Sequence, residues 1–173
     1  RMGFIEEVES ILQYTPDTRQ TSLFSATMPK QIKNITTKYL RNPKDLMIGE
    51  VKSKDRLINQ KYWIVQNINK LDGLTRILEV ENFDAVLLFV RTKASATELA
   101  RQLSERGYAS EALHGDMVQK DREKTVKKIR NKEIDLLVAT DVAARGLDVD
   151  RITHVVNYDL PFDSESYVHR IGR

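Results

Sequence analysis

The end of the sequence carries three groups that could hold an anion: His169, Arg170 and Arg173, in YVHRIGR. In a helix, Arg170 and Arg173 stand three apart and His169 and Arg173 four apart, a spacing that brings all three to one face. Two guanidinium groups beside an imidazole suit an anion. A second set of candidates follows short apolar runs. Ser25-Ala26-Thr27 follows Phe24, Arg91-Thr92-Lys93 follows Val90, His114-Gly115-Asp116 follows Leu113, and Thr140-Asp141 follows Ala139. Hydroxyls and backbone N–H groups donate to phosphate, and glycine lets a backbone approach closely. Any one of these residues would also serve as a cap or turn, and Ser95 and Asp163 read as caps alone. It is the repetition after four apolar runs that points to a site.

The elements that must position these groups alternate. Phe4, Val8, Ile11 and Leu12 have helical spacing, and Pro16-Asp17 ends that helix. Thr21–Phe24 reads as a short strand, a helix follows Pro29 with Ile32 and Ile35 on its stripe, and Leu46-Met47-Ile48 reads as another strand. The polar stretch GEVKSKDRLIN, residues 49–59, reads as a linker. Beyond it the pattern is regular. Tyr62–Val65, Ala85–Val90, Ala112-Leu113, Ile134–Ala139 and Thr153–Asn157 read as strands. Stripes at Leu71, Leu74, Ile77 and Leu78, at Ala96, Leu99, Ala100 and Leu103, and at Val118, Thr125, Val126 and Ile129 read as helices between them. Strands apolar nearly throughout and separated by helices specify an α/β fold, a doubly wound parallel sheet covered on both faces. In such sheets ligands bind beyond the carboxyl ends of the strands, where the candidates above fall.

Composition narrows the chemistry. The 173 residues carry a net charge of +3 and a pI near 9.0, which permits a nucleic-acid partner without requiring one. There is no cysteine, so no disulfide or thiolate metal site forms, and a reducing compartment such as the cytoplasm suits the chain. No apolar run approaches the ~20 residues of a membrane helix. None of the seven glycines precedes a lysine, so there is no phosphate-binding G-x-x-x-x-G-K-[ST] loop. His114, His154 and His169 lack metal-ligand spacing, no metal site is expected, and His154 reads as a core or edge histidine of a strand.

The stretches LFSATMP, LLFVRTK, LHGDMVQKDRE, VATDVAARGLDV and YVHRIGR occur in that order. Together they resemble motifs III, IV, IVa, V and VI of the DEAD-box ATP-dependent RNA helicases, most of all the bacterial cold-shock type. The opening Arg1-Met2-Gly3-Phe4 looks like the segment just after that family's Asp-Glu-Ala-Asp motif, as if the chain began inside something longer. The resemblance implies a RecA-like fold in two domains. Residues 1–49 would be the C-terminal portion of the first, 50–59 the linker, and 60–173 the second, ending within motif VI.

The likeness also implies roles. Arg173 matches an arginine finger acting on the γ-phosphoryl of ATP, with His169 and Arg170 bridging to the first domain. Asp148, Gly146 and Arg145 match the nucleotide-facing segment, with Asp148 accepting from the ribose. Thr92, Gly115, Asp116, Gln119, Arg122 and Thr140 match RNA-facing positions, and Ser25 and Thr27 match the motif that couples nucleotide state to strand separation. ATP and Mg²⁺ are the implied cofactors, with the Mg²⁺ ligands outside this chain. Single-stranded and duplex RNA are the implied partners, with ribosomal or RNA-degradation proteins beside them and a setting of ribosome assembly or mRNA turnover at low temperature. The polypeptide alone is expected to be inactive as an ATPase. Two other readings remain open: a non-catalytic RecA-like module that binds RNA or a protein, and a related DNA helicase.

Overall fold

The structure, a computed structural model, describes residues 5–25, 28, 30–47, 58–66 and 69–173. The chain divides into two compact units, Arg1–Ser53 and Lys54–Arg173.

The first unit holds helices α1 (Ile5–Gln13) and α2 (Lys30–Tyr39). Lys38 Nζ donates to Glu9 Oε1 at 2.7 Å, and Arg41 Nη2 to Asp17 Oδ1 at 2.8 Å, tying the two helical segments together. The two strands expected here are corrected. Residues 21–24 and 46–47 pair with nothing as strands, and Phe24 is 94% exposed. A strand exists only with a hydrogen-bonded neighbour, and none is present among the described residues. Ile48 and Pro29 lie outside the described residues.

In the second unit, α3 (Lys70–Val80), β1 (Ala85–Phe89), α4 (Lys93–Glu105), β2 (Ser110–Leu113), α5 (Gln119–Arg130), β3 (Leu136–Ala139), α6 (Asp141–Ala144), β4 (Ile152–Asn157) and α7 (Ser164–Ile171) follow in order. Among the described residues the strands form one parallel sheet, β2-β3-β1-β4. The reason for the continuous apolar run in β1 is its central place. Val86, Leu88 and Val90 pack with α3 and α4 on one face, while Ala85, Leu87 and Phe89 pack with Ile129 of α5 and with Ala143 and Ala144 of α6 on the other. This is the α/β, RecA-like doubly wound architecture.

Tyr62–Val65, expected as a strand, is not paired as one. Trp63 and Val65 lie against α3 instead, where Gly73 leaves them room; a Cβ there would stand 3.7 Å from Val65 Cγ2 and 3.8 Å from Trp63 Cζ3. His154 sits in β4, where its Nδ1 and the Thr153 hydroxyl share a 2.9 Å hydrogen bond. At the amino end of the sheet, Arg151 donates to the Asp84 and Asp135 carboxylates and to the carbonyls of Asp84, Ile129 and Ile134. No helix among the described residues is long and apolar enough to cross a membrane.

Candidate nucleotide and RNA site

The carboxyl rim begins at the end of β1. Thr92 is the N-cap of α4, its Oγ1 accepting from Ser95 N at 3.0 Å. The cap takes up the Ser95 amide and leaves those of Lys93 and Ala94 at the positive end of the helix dipole. Ser95, expected to be a cap, is the residue capped. Beside it, Lys93 pairs with Asp116 across the turn after β2, and this bond holds the Asp116 carboxyl below its ordinary range. Asp116 therefore fixes the loop that contains Gly115. The neighbouring ring is half-buried, with His114 Nε2 and Thr97 Oγ1 3.2 Å apart.

At the end of β3, Thr140 is buried, and its N–H donates to Leu113 O at 3.3 Å. Arg122 is half-buried. Its Nη2 donates to Ala143 O at 2.6 Å, which fastens α5 to α6. Gln119, exposed on the first turn of α5, donates to Glu123. Thr92, Gly115, Asp116 and Thr140 thus lie at three adjacent strand ends, in sheet order β2, β3, β1, while Gln119 and Arg122 lie on the helix that follows β2.

The segment after α6 turns sharply at Gly146, whose φ of +70° favours glycine. Arg130 Nη2 donates to Asp148 O at 2.6 Å and fixes the main chain there, and the Asp148 carboxylate stays exposed. Between this loop and α5 lies an open cavity of about 390 Å³ lined by Arg122, Arg130, Gly146 and Asp148 among others. Arg145 is exposed, and its guanidinium has no hydrogen bond with the described residues.

Helix α7 departs from expectation. Asp163 caps it, accepting from Ser166 N at 2.7 Å. His169, Arg170 and Arg173 do not share one face: the helix ends at Ile171, His169 and Arg173 are exposed, and Arg170 is 3% exposed. Arg170 turns inward because everything it needs lies there. Nε and Nη2 donate to the two oxygens of Asp141 at 2.6 and 2.8 Å, and Nη1 donates to Asn157 Oδ1 at 2.9 Å and Asp159 O at 2.6 Å. Its guanidinium lies 4.8 Å over the centre of the Phe89 ring. Such a buried, satisfied guanidinium is a structural anchor, so of the three candidates only His169 and Arg173 are exposed.

Of the first-unit candidates, Ser25 is exposed and Thr27 lies outside the described residues. Sequence reasoning missed Asn157, Asp159 and the inward role of Asp141. The signal for the first two is faint: polar residues just where the apolar run of β4 ends.

Comparison with known proteins gives the arrangement its kin. Residues 69–173 match the helicase conserved C-terminal domain. Over all 173 residues the chain is 53% identical to the ATP-dependent RNA helicase DeaD of Buchnera aphidicola subsp. Acyrthosiphon pisum and 52% identical to that of Escherichia coli K12, spanning 29% and 28% of their lengths. Among solved structures, S. cerevisiae Dbp5 bound to RNA and ADP BeF3 superposes with a TM-score of 0.79 at 27% identity, covering 100% of this chain and 46% of that one. The chain spans less than a third of the curated relatives it matches. Matched by this domain over most of its length and by DeaD helicases along all of it, the chain belongs to the helicase conserved C-terminal domain family.

Proposed function

We propose that this chain works within an ATP-dependent RNA helicase that separates short RNA duplexes as two RecA-like domains close. On this reading residues 1–49 complete the first domain, 50–59 link, and 60–173 form the second. The observation that carries the reading is the rim: Thr92, Gly115 and Thr140 end three adjacent strands on the edge where parallel sheets take ligands. The amides of the first turn of α4 and the glycine loop suit a phosphate backbone and its 2′-hydroxyls. Asp116 and Arg122 shape this rim by holding its loops, and Gln119 extends it.

The donor set fits a nucleoside triphosphate. An exposed carboxylate at Asp148 suits a ribose hydroxyl, the turn at Gly146 brings the main chain past it, and Arg145 and Arg173 offer guanidinium groups with no partner among the described residues. ATP, when bound with Mg²⁺, supplies the γ-phosphoryl whose transfer to water drives the cycle. Arg173 would neutralise charge on that group, a contribution worth about 10³–10⁵ in rate in phosphoryl transfer. His169 is exposed, as Arg173 is, and Arg170 holds the helix that carries His169 and leads into Arg173. Ser25 and Thr27 complete the closed state from the first domain. The similarity to proteins named ATP-dependent RNA helicases supports the helicase reading; a cytoplasmic setting, low-temperature RNA metabolism and ribosomal or RNA-degradation partners are part of the same proposal.

The test is ATP turnover by the two-domain enzyme with and without single-stranded RNA. Arg173→Ala should abolish the RNA-stimulated rate while leaving RNA binding within a few-fold. Wild-type turnover in Arg173→Ala refutes the assignment, and equal stimulation by DNA favours the DNA helicase.

A further inference from the structure

Asp159 has a main-chain N–H, a main-chain carbonyl and two carboxylate oxygens, and each engages a different group. Its N–H donates to Phe89 O at 3.0 Å, at the end of β1. Oδ2 accepts from the Arg91 amide at 3.0 Å, one residue before the Thr92 cap. Oδ1 accepts from Lys70 Nζ at 2.7 Å, at the first residue of α3, and that ammonium also sits 4.3 Å over the Tyr158 ring. The carbonyl accepts from Arg170 Nη1 at 2.6 Å. Phe89 closes the circuit, since its carbonyl is held by Asp159 and its ring lies under Arg170.

One residue therefore grips both sides of the proposed machinery. The Arg91 amide and Phe89 carbonyl fix the backbone that presents Thr92. The Asp159 carbonyl fixes Arg170, three residues before Arg173. Its N–H and carbonyl, and both carboxylate oxygens, are each held by a hydrogen bond, so Asp159 gives the Thr92 turn and α7 a short path through one residue.

We propose that Asp159 is a positioning residue that couples RNA engagement at the β1 rim to placement of the arginine end of α7; this rests on the helicase reading above. The alternative, that Asp159 only stabilises the fold, has an internal control. Asp84 is a comparable ion-paired aspartate, holding Arg151 at the opposite, amino end of the sheet, away from the rim.

The experiment compares Asp159→Ala, Asp159→Asn, Asp84→Ala and Arg173→Ala in the two-domain enzyme, at a temperature where all are folded. Turnover is measured with and without saturating single-stranded RNA, together with KM for ATP. Small misplacements of positioning groups cost up to about 100-fold in rate, so Asp159→Ala should lose about 10-fold or more of the RNA-stimulated kcat with KM for ATP little changed. Asp159→Asn, which keeps an oxygen for the Arg91 amide, should recover most of it, and Asp84→Ala should keep normal stimulation. Normal stimulation in Asp159→Ala, or an equal loss in Asp84→Ala, overturns the proposal while leaving the arginine reading intact. Normal turnover in Arg173→Ala removes that reading and the coupling with it.

Discussion

Truncating Asp141 tests whether the buried guanidinium anchors α7. Asp141→Ala deprives Arg170 of two charge-assisted bonds, at 2.6 and 2.8 Å, and leaves a positive charge in a site where the side chain is 3% exposed. Hydrogen bonds to charged groups contribute about 1.5–3 kcal/mol each, so the pair sets a ceiling near 3–6 kcal/mol. Asp141 is itself 45% exposed, and water entering its place offsets part of the loss. We expect a cost of about 2–4 kcal/mol, a large share of the ~5–15 kcal/mol of an ordinary domain. Trp63, the sole tryptophan, lies against α3 of the same unit and reports its unfolding. With a urea slope of about 2 kcal/mol per molar, the middle of the usual range, the midpoint should fall by roughly 1–2 M. Asp141→Leu combined with Arg170→Met should recover most of the stability, because a well-packed apolar pair avoids the desolvation of two charges. A midpoint unchanged in Asp141→Ala, or a double variant no better than the single, refutes the anchoring argument.

Three further outcomes follow from the same geometry. Asp163→Ala removes the cap of α7 and should cost about 1 kcal/mol, with faster amide exchange in the first turn of that helix. Gly146→Ala places a side chain at a φ of +70° and should cost about 1–2 kcal/mol in the same urea assay, with ATP affinity of the two-domain enzyme falling as the Asp148 carboxylate shifts. Acid should unfold the second unit partly through Asp84 and Asp159. The bond from Arg151 holds the Asp84 carboxyl below its ordinary range; burial pushes Asp159 up, but Lys70 and the Arg91 amide outweigh it and leave it lowered. Both pKa values are depressed in the folded state, so the unfolded chain binds more protons. This stability is present above the unfolded value of about 4 and is lost as pH falls through the folded values. Urea midpoints from pH 6 to 3 should therefore fall less steeply in Asp84→Asn than in wild type.

The sheet was legible where both faces are covered, since burial on two sides demands an unbroken apolar run such as Ala85–Val90. The helices were legible from their stripes, and Asp163 from its capping chemistry. Thr21–Phe24, Leu46-Met47 and Tyr62–Val65 misled for one reason: β-propensity describes a side-chain surface, whereas a strand needs a partner that local sequence does not name. The strand-end rule found the rim because topology alone sets it. It did not find the inward turn of Arg170. Residue spacing says which side chains share a helix face, but the rotation of that helix against Phe89, Asp141 and Asn157 is settled by residues up to about 80 positions away.

The central place of β1 has a kinetic consequence. Val86 pairs with Leu136 on one side and His154 on the other, so neither neighbour arrives until roughly 50–70 residues later in the chain, and each pairing closes a long loop. Folding dominated by such distant contacts is slow. Of the four strands described, the most apolar, AVLLF, emerges from the ribosome before the three others and waits for partners made later, an exposed oily edge of the kind chaperones cover.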